Sequence, residues 1–330
     1  MRRRTPVAVL AFLAAVGLAA CNRRSPSVVD PHGPEAHRIA GTWWLMFGLA
    51  AAVYAIVGGF IVVALLRGRG TESGRGSRIT DNGFIWVGGL AVPLAILMVL
   101  AWATVDTTNH VRRAEKDPLR IEVVARQWWW AVSYPQYHFA TANEIHVPVG
   151  RPIEVGLDSD NVLHSFWVPQ LGGKLDTIPG QHNVWRFKAS KAGTYRGQCA
   201  EYCGLQHAHM SFLVIAEPPA TFDTWALRRT NPPPAPTDQL QANGQLVFVS
   251  SPCAGCHTIR GTQAQGVIGP DLSDIGSRRT LGANTVPNTT GNLSGWVLNA
   301  QTIKPGSLMP PIDLSADQLH ALVAYLQSLK

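Results

Sequence analysis

Apolar and polar positions divide this chain into stretches of different period. From Ile39 to Leu66 and again from Gly83 to Val105 there is no charged residue, and about 20 apolar residues suffice for a helix to cross a hydrocarbon core. The pattern predicts two membrane-spanning helices. The alternative, a buried helix hairpin in a soluble protein, fits runs of this length and apolarity poorly. Ahead of them, Arg2, Arg3 and Arg4, an apolar run from Val7 to Val16 and the sequence LAAC read as a secretory signal. Past Val105 the segments shorten and become β-rich: RIEVVARQWWWAVSY, EIHVPVG, PIEVGLDSD, NVWRFKA, GTYRGQC and MSFLVIAE, each bounded by Gly, Pro, Asn or Asp. They predict a compact all-β sandwich or barrel. NPPPAP at 231–236 cannot continue a strand and reads as a stiff linker. Beyond it the signals are helical, ending in SADQLHALVAYLQSLK, where Ser315 can cap a helix whose apolar face includes Leu319, Leu322, Val323 and Leu326.

The expected organisation is therefore a multi-domain membrane protein. It comprises a signal peptide at 1–20, a short outer segment at 21–38, a transmembrane helix hairpin at 39–107, a β-sandwich at 108–230, a Pro-rich linker at 231–237 and an all-α domain at 238–330. The loop between the apolar runs carries Arg67, Arg69, Arg75 and Arg78 against the single acid Glu72. By the positive-inside rule that loop is cytoplasmic, and the C-terminal two-thirds lie outside.

The two spans account for much of the 46% hydrophobic content of the 330 residues. The formal net charge of +7 invites a nucleic-acid partner, but its distribution argues against one. Residues 1–109 carry 10 basic and 5 acidic side chains, residues 110–230 carry 13 and 11, and residues 231–330 carry 5 and 5. The excess follows membrane topology rather than a binding patch.

Candidate chemistry sits in two cysteine pairs. Cys253 and Cys256 are followed at once by His257, and C-x-x-C-H is the sequence for covalent haem c attachment: two thiols add to the vinyl groups and the histidine binds iron. The sixth ligand should be a thioether on a loop, and Met309 in KPGSLMPP is the one methionine after the linker. The other pair lies in CAEYCGLQHAHM, where Cys199, Cys203, His207 and Met210 offer two thiolates, an imidazole and a thioether. That set suits a copper electron-transfer site better than zinc. A disulfide between Cys199 and Cys203 is the competing reading for an exported chain, and it leaves His207 and Met210 unexplained. His164, beside the turn-prone DSDN, offers a further ligand from an earlier strand end.

These motifs carry a resemblance. C-x-E-x-C-x-x-x-H-x-x-M, VLHSFWVPQLGGKLDTIPG and RQWWW resemble subunit II of haem-copper cytochrome c oxidases, and the resemblance runs from LAAC through both apolar runs to about Val214. GPDL at 269–272 and the terminal helix resemble class I cytochrome c, and the fusion resembles the caa-type bacterial oxidases. The resemblance implies a cupredoxin fold with a binuclear copper centre, CuA. Cys199 and Cys203 would bridge both ions, His164 and Met210 would serve one, and His207 and the carbonyl of Glu201 the other. It also implies electron admission at Trp128, magnesium at the Glu201 side chain, and Lys174 and Asp176 near the contact with subunit I. LAAC resembles a lipobox, which implies lipidation of Cys21. Asn161 departs from the family, standing where many members have an acid.

The implied function is electron input to an oxygen-reducing oxidase in the bacterial cell membrane, with the copper and haem domains on its periplasmic side. Subunit I and other oxidase subunits would be partners, and an external cytochrome c or a quinol:cytochrome c reductase the donor. Oxygen chemistry belongs to another subunit, since neither apolar run contains a histidine. The alternatives are the equivalent subunit of a nitric oxide reductase and a membrane-tethered copper-binding lipoprotein.

Overall fold

The computed structural model describes residues 26–67 and 81–330. The signal segment, Cys21 and most of the Arg-rich loop lie outside the described residues. Helix α1 (Pro34–Arg67) starts five residues ahead of the uncharged run. Pro34 suits a first helical position, and Glu35 places an acid in the first turn, where the helix dipole favours it. The second membrane helix opens at Asp81–Phe84, widens to a π-helical stretch at Ile85–Ala91 and continues as α2 (Val92–Val111). Outward apolar side chains such as Leu66, Trp86 and Trp102 are exposed along both helices, as lipid contact requires. Thr42 and Thr107 hydroxyls bond across the hairpin at 2.8 Å, and Arg38 pairs with Asp106 at 3.5 Å.

The hairpin is fastened to the β-domain at both ends. The His32 amide donates to the Gln170 carbonyl and the Ser190 amide donates to the His32 carbonyl, which inserts the pre-helical segment between two sandwich loops. The Glu35 carboxylate accepts from the Lys188 amide at 3.1 Å, and the Lys188 ammonium bonds Glu115 at 2.8 Å just beyond α2.

Ten strands form two five-stranded sheets. They are β1 (Leu119–Arg126), β2 (Trp129–Tyr134), β3 (Phe139–Ala142), β4 (Glu144–Pro148), β5 (Ile153–Ser159), β6 (His164–Trp167), β7 (Leu175–Thr177), β8 (Asn183–Phe187), β9 (Gly193–Cys199) and β10 (Ser211–Glu217). The orders are β3-β2-β1-β5-β8 and β4-β10-β9-β6-β7, with β1 parallel to β5, β4 parallel to β10 and the other pairs antiparallel. Alternation is clear in β1, where Leu119, Ile121, Val123 and Ala125 face inward. Between the sheets Trp130, Phe166 and Phe212 pack with ring centroids 4.3–5.5 Å apart. Gly197 on β9 admits Phe212, whose ring occupies the space a side chain there would need.

Two elements differ from the sequence reading. RIEVVARQWWWAVSY is not one strand but a hairpin that turns at Gln127 and Trp128, with Arg126 opposite Trp129. And α3 (Pro219–Thr230) closes the sandwich, burying Phe222, Trp225 and Ala226 at helical spacing.

The linker is extended, and Pro232 packs against Gly261 of the helical domain. That domain comprises α4 (Gln239–Ser250), the single turn α5 (Cys253–Cys256), β11 (Thr280–Leu281), β12 (Val286–Pro287), α6 (Thr290–Ile303) and α7 (Ala316–Ser328). Ser315 caps α7 as expected, and Gln318 completes a capping box with it, a device in which the cap residue contributes about 1 kcal/mol. Leu322, Val323 and Leu326 join Phe248 of α4 in the core, and Gly244 lets α7 approach closely.

The helical domain is docked on the sandwich rather than merely tethered. Asp274 accepts from the Thr141 hydroxyl at 2.9 Å and pairs with Arg229 at 2.9 Å and with Arg278. Glu144 accepts from the Arg279 amide at 2.7 Å. Burial pushes both Arg229 and Arg278 down to about 10, which leaves them charged beside Asp274 at neutral pH.

Candidate metal centre

Three chain segments meet at one end of the sandwich. β6 begins at His164, β9 ends at Cys199, and β10 begins one residue after Met210. The Cys199 amide donates to the Met210 carbonyl at 2.9 Å, so the intervening CAEYCGLQHAHM stretch is a loop closed at its base by the β9–β10 ladder. Cys199 pairs with Phe166 across β6, which sets His164, two residues back on the same face, beside the thiol.

The polar atoms converge. Cys199 Sγ lies 3.8 Å from Cys203 Sγ and 3.8 Å from His164 Nδ1. Cys203 Sγ lies 3.6 Å from His207 Nδ1 and 3.8 Å from Met210 Sδ, and the Glu201 carbonyl lies 3.1 Å from Cys199 Sγ. The two sulfurs are far beyond the roughly 2.05 Å of a disulfide, and both cysteines are free. His164, Cys199, Cys203 and Met210 are all buried. His164, Cys199 and Cys203 bring one donor atom each within 4.8 Å of one another. The Cys203 thiol and His164 stabilise a thiolate at Cys199, bringing it down to about 3, while that negative charge and burial push the Cys203 thiol up. Only a cation between them lets both sulfurs be anionic together, so the donor set fits copper, which takes soft thiolate, imidazole and thioether ligands.

The surroundings hold each donor in place. Asn161 Oδ1 lies 3.2 Å from His164 Nε2, so a proton on Nε2 leaves the Nδ1 lone pair facing Cys199. The departure noted at Asn161 thus has a structural use that sequence reasoning missed. The Cys203 carbonyl accepts from Gln127 Nε2 at 2.8 Å and from the Trp128 indole at 3.0 Å. Gly204, at φ 113°, supplies the left-handed conformation that lets the loop pass under that indole. The three consecutive tryptophans have different fates: Trp128 meets the loop, Trp129 stacks under Arg126 at 5.3 Å, and Trp130 is wholly buried. The Glu201 side chain points away, 3.7 Å from Lys174, whereas the Asp176 carbonyl accepts from Asn183.

In the helical domain, α5 presents Cys253 and Cys256 half-buried, and His257 follows. His257 Nδ1 lies 2.8 Å from the Pro270 carbonyl, which fixes a proton there and leaves Nε2 as the unprotonated nitrogen. Burial pushes the imidazole below its ordinary value, so it is neutral and able to ligate. Gly269 packs against this ring where any side chain would clash. Met309 lies on the loop between α6 and α7, its carbonyl held by Gln301 Nε2 at 3.0 Å. Val267, Ile268 and Leu308 stand exposed beside the His257 and Met309 segments. A thiol pair, a fixed imidazole and apolar walls fit a haem.

Between the two sites lies Lys304, 2% exposed. Burial pushes its amine down to about 7, while three carbonyls, which can only accept, favour the charged form.

Comparison with known proteins agrees with this geometry. Residues 138–217 match the family described as cytochrome c oxidase subunit II, periplasmic domain, and residues 241–330 match the cytochrome c family. A cytochrome c oxidase subunit 2 from Alkalihalophilus pseudofirmus is 32% identical over 97% of this chain and 96% of its own length. One from a Bacillus sp. is 34% identical over 74% of this chain and 73% of its own. A quinol oxidase subunit 2 from Bacillus subtilis is 30% identical over 71% of this chain and 75% of its own. With one match spanning nearly the whole length of both chains, the chain belongs to the cytochrome c oxidase subunit 2 family, and its residues 241–330 form a cytochrome c domain on the same polypeptide.

Proposed function

We propose that this chain takes in electrons at its cytochrome domain, passes them to a binuclear CuA centre in the sandwich and delivers them to a haem in subunit I, where oxygen is reduced to water. The observation that carries this reading is the convergence of Cys199, Cys203, His164, His207, Met210 and the Glu201 carbonyl at 3.1–3.8 Å contacts. Cys199 and Cys203 would hold both copper ions, His164 and Met210 would serve one of them, and His207 with the Glu201 carbonyl the other. When bound, the pair of coppers shares one electron's charge over a rigid thiolate core, so little reorganises on reduction. Asn161 orients His164, and the sandwich core keeps water from the sulfurs.

On the cytochrome side, Cys253 and Cys256 would anchor haem c, and His257 and Met309 would ligate its iron. Trp128, bonded to Cys203 and facing the cytochrome domain, is the point of electron admission. The Glu201 carboxylate, tied to Lys174, is the magnesium ligand at the subunit I contact. A partner that draws electrons from quinol needs no thiolate copper site, so the complete donor set favours a cytochrome-linked oxidase over the quinol-linked relative. The soluble domains lie on the periplasmic side, and Cys21 carries a lipid.

The deciding experiment is metal analysis and gas consumption on the purified complex. Two coppers and one haem c per chain, with oxygen uptake driven by a reduced cytochrome, are expected. One copper or none, or consumption of nitric oxide in place of oxygen, overturns the reading.

A further inference from the structure

Lys304 follows α6 directly and buries its cationic side chain between the two domains. Its ammonium donates to the Trp128 carbonyl at 2.7 Å and the His209 carbonyl at 2.7 Å on the sandwich side, and to the Gly282 carbonyl at 2.8 Å on its own side. An ammonium has three N–H groups, and all three are used. Among the described residues no carboxylate pairs with it. Burying a lone cation is costly unless every donor is satisfied, and a Met or Leu would fill the same volume without that cost. The side chain is therefore suited to pinning three backbone strands at one point.

Those strands matter because of what they adjoin. Trp128 donates its indole to Cys203, and His209 precedes Met210 with its ring held by Gln206 at 2.8 Å. Gln206 in turn donates to the Pro305 carbonyl at 2.7 Å. A side chain at Gly306, which has φ 84°, would press on Leu205 and the Trp128 ring. The segment Lys304–Gly306 thus fills the opening between Trp128 and the sulfur-rich loop. Three residues further stands Met309. From within the cytochrome domain Gln301 braces the same segment, donating to the Ser307 and Met309 carbonyls and accepting from the Gly306 amide. One short, braced stretch of chain touches the copper loop at one end and carries the haem's candidate thioether at the other.

We propose that Lys304 is a positioning residue, a latch that seats the cytochrome domain on Trp128 and the copper loop and so sets the gap that each electron crosses. The inference rests on the electron-input reading above. Electron transfer between held centres falls steeply with their separation, so an interface that keeps its outer ion pairs but loses this point should still close, only less tightly where it counts.

The test uses the full-length chain in its complex, as the parent, as Lys304→Met and as Lys304→Gln. Two quantities are read: the haem-to-copper transfer rate after flash reduction, and the enhancement of copper spin relaxation by the ferric haem, which reports their separation. For Lys304→Met the expected result is transfer slower by about tenfold or more and weaker relaxation enhancement, with the copper and haem absorption spectra and the haem potential unchanged. Lys304→Gln, which keeps a donor on a shorter stem, should fall between, and it decides the matter if Lys304→Met does not assemble. An unchanged rate, or a slower rate with unchanged relaxation enhancement, overturns the latch. If the parent itself shows no haem-to-copper transfer, the electron-input reading falls, and the latch is then judged on relaxation alone, an unchanged separation overturning it.

Discussion

The sulfur-rich loop and the C-x-x-C-H segment are both short candidate metal-binding sequences, yet the fold treats them differently. In the loop the donors already stand against one another, with five contacts of 3.1–3.8 Å among side chains and one carbonyl. They are held from behind by Asn161, Gln127 and Trp128. In the cytochrome domain each candidate ligand is held separately: His257 by the Pro270 carbonyl, Met309 through its backbone by Gln301. The copper site is a frame built by the protein. The candidate haem site keeps its two ligands on separate supports.

The largest effect that could break this contrast is on folding without cofactor. Replacing both Cys253 and Cys256 by Ser, which prevents attachment, should raise amide exchange throughout α4, α6 and α7. Removing copper by chelation should leave exchange in β6, β9 and β10 nearly as before. Equal loosening in both domains would erase the distinction. Next, Cys203→Ser should abolish the copper EPR signal while the sandwich stays folded, because it removes the sulfur that touches Cys199, His207 and Met210. A signal merely weakened would mean that one thiolate suffices.

Asn161→Leu sharpens the comparison from behind the copper site. With the His164 ring released, copper affinity should fall by about 10–100-fold, the range for loss of a partner that orients a ligand. Competition against a chelator of known affinity measures it. Met309→Ala should leave haem attached while lowering its potential and removing the thioether absorption band, as read by redox titration.

The smallest effect is on a surface pair remote from both sites. His182, hydrogen-bonded to Asp158 at 2.9 Å, is raised above its ordinary value by that bond and by the carboxylate charges. Its stabilising contribution is complete below about pH 6.5 and disappears as pH rises through the raised value. The small difference in thermal midpoint between the parent and His182→Gln should therefore be present at pH 6 and gone by pH 9. Persistence at pH 9 would show that charge is not the cause.

The sequence made much of this legible because its signals were local. Uncharged runs mark the two helices, β-rich segments bounded by Gly, Pro, Asn or Asp mark the sandwich, and Ser315 marks the cap of α7. The six candidate copper donors, which the fold brings together, were readable because five sit in one loop and His164 lies in a motif of its own. What escaped was tertiary. The turn at Gln127 and Trp128 has none of the usual turn residues and is stabilised by the Cys203 carbonyl from another loop. The helix α3 shows its period in Phe222, Trp225 and Ala226, but stands between a strand and a Pro-rich linker that drew the reading elsewhere. Asn161 looked like a missing acid and is a hydrogen-bond partner. Lys304 is a surface-type residue in a loop, and only the docked domain shows that its partners are three carbonyls. Docking itself was hidden by the balanced charge of residues 231–330, because the acid and base that matter, Asp274 and Arg229, are buried together across the interface.

The clasp at the base of the sandwich has a mechanical meaning. His32 is woven between the Gln170 and Ser190 backbones immediately before α1, and Lys188 binds both Glu35 and Glu115, on either side of the helix pair. A body bolted to two posts cannot pivot on either. The sulfur-rich loop is therefore carried by a body joined to both helices, through the His32 and Glu35 contacts on one and the Glu115 contact beyond the other, rather than swinging from a single linker.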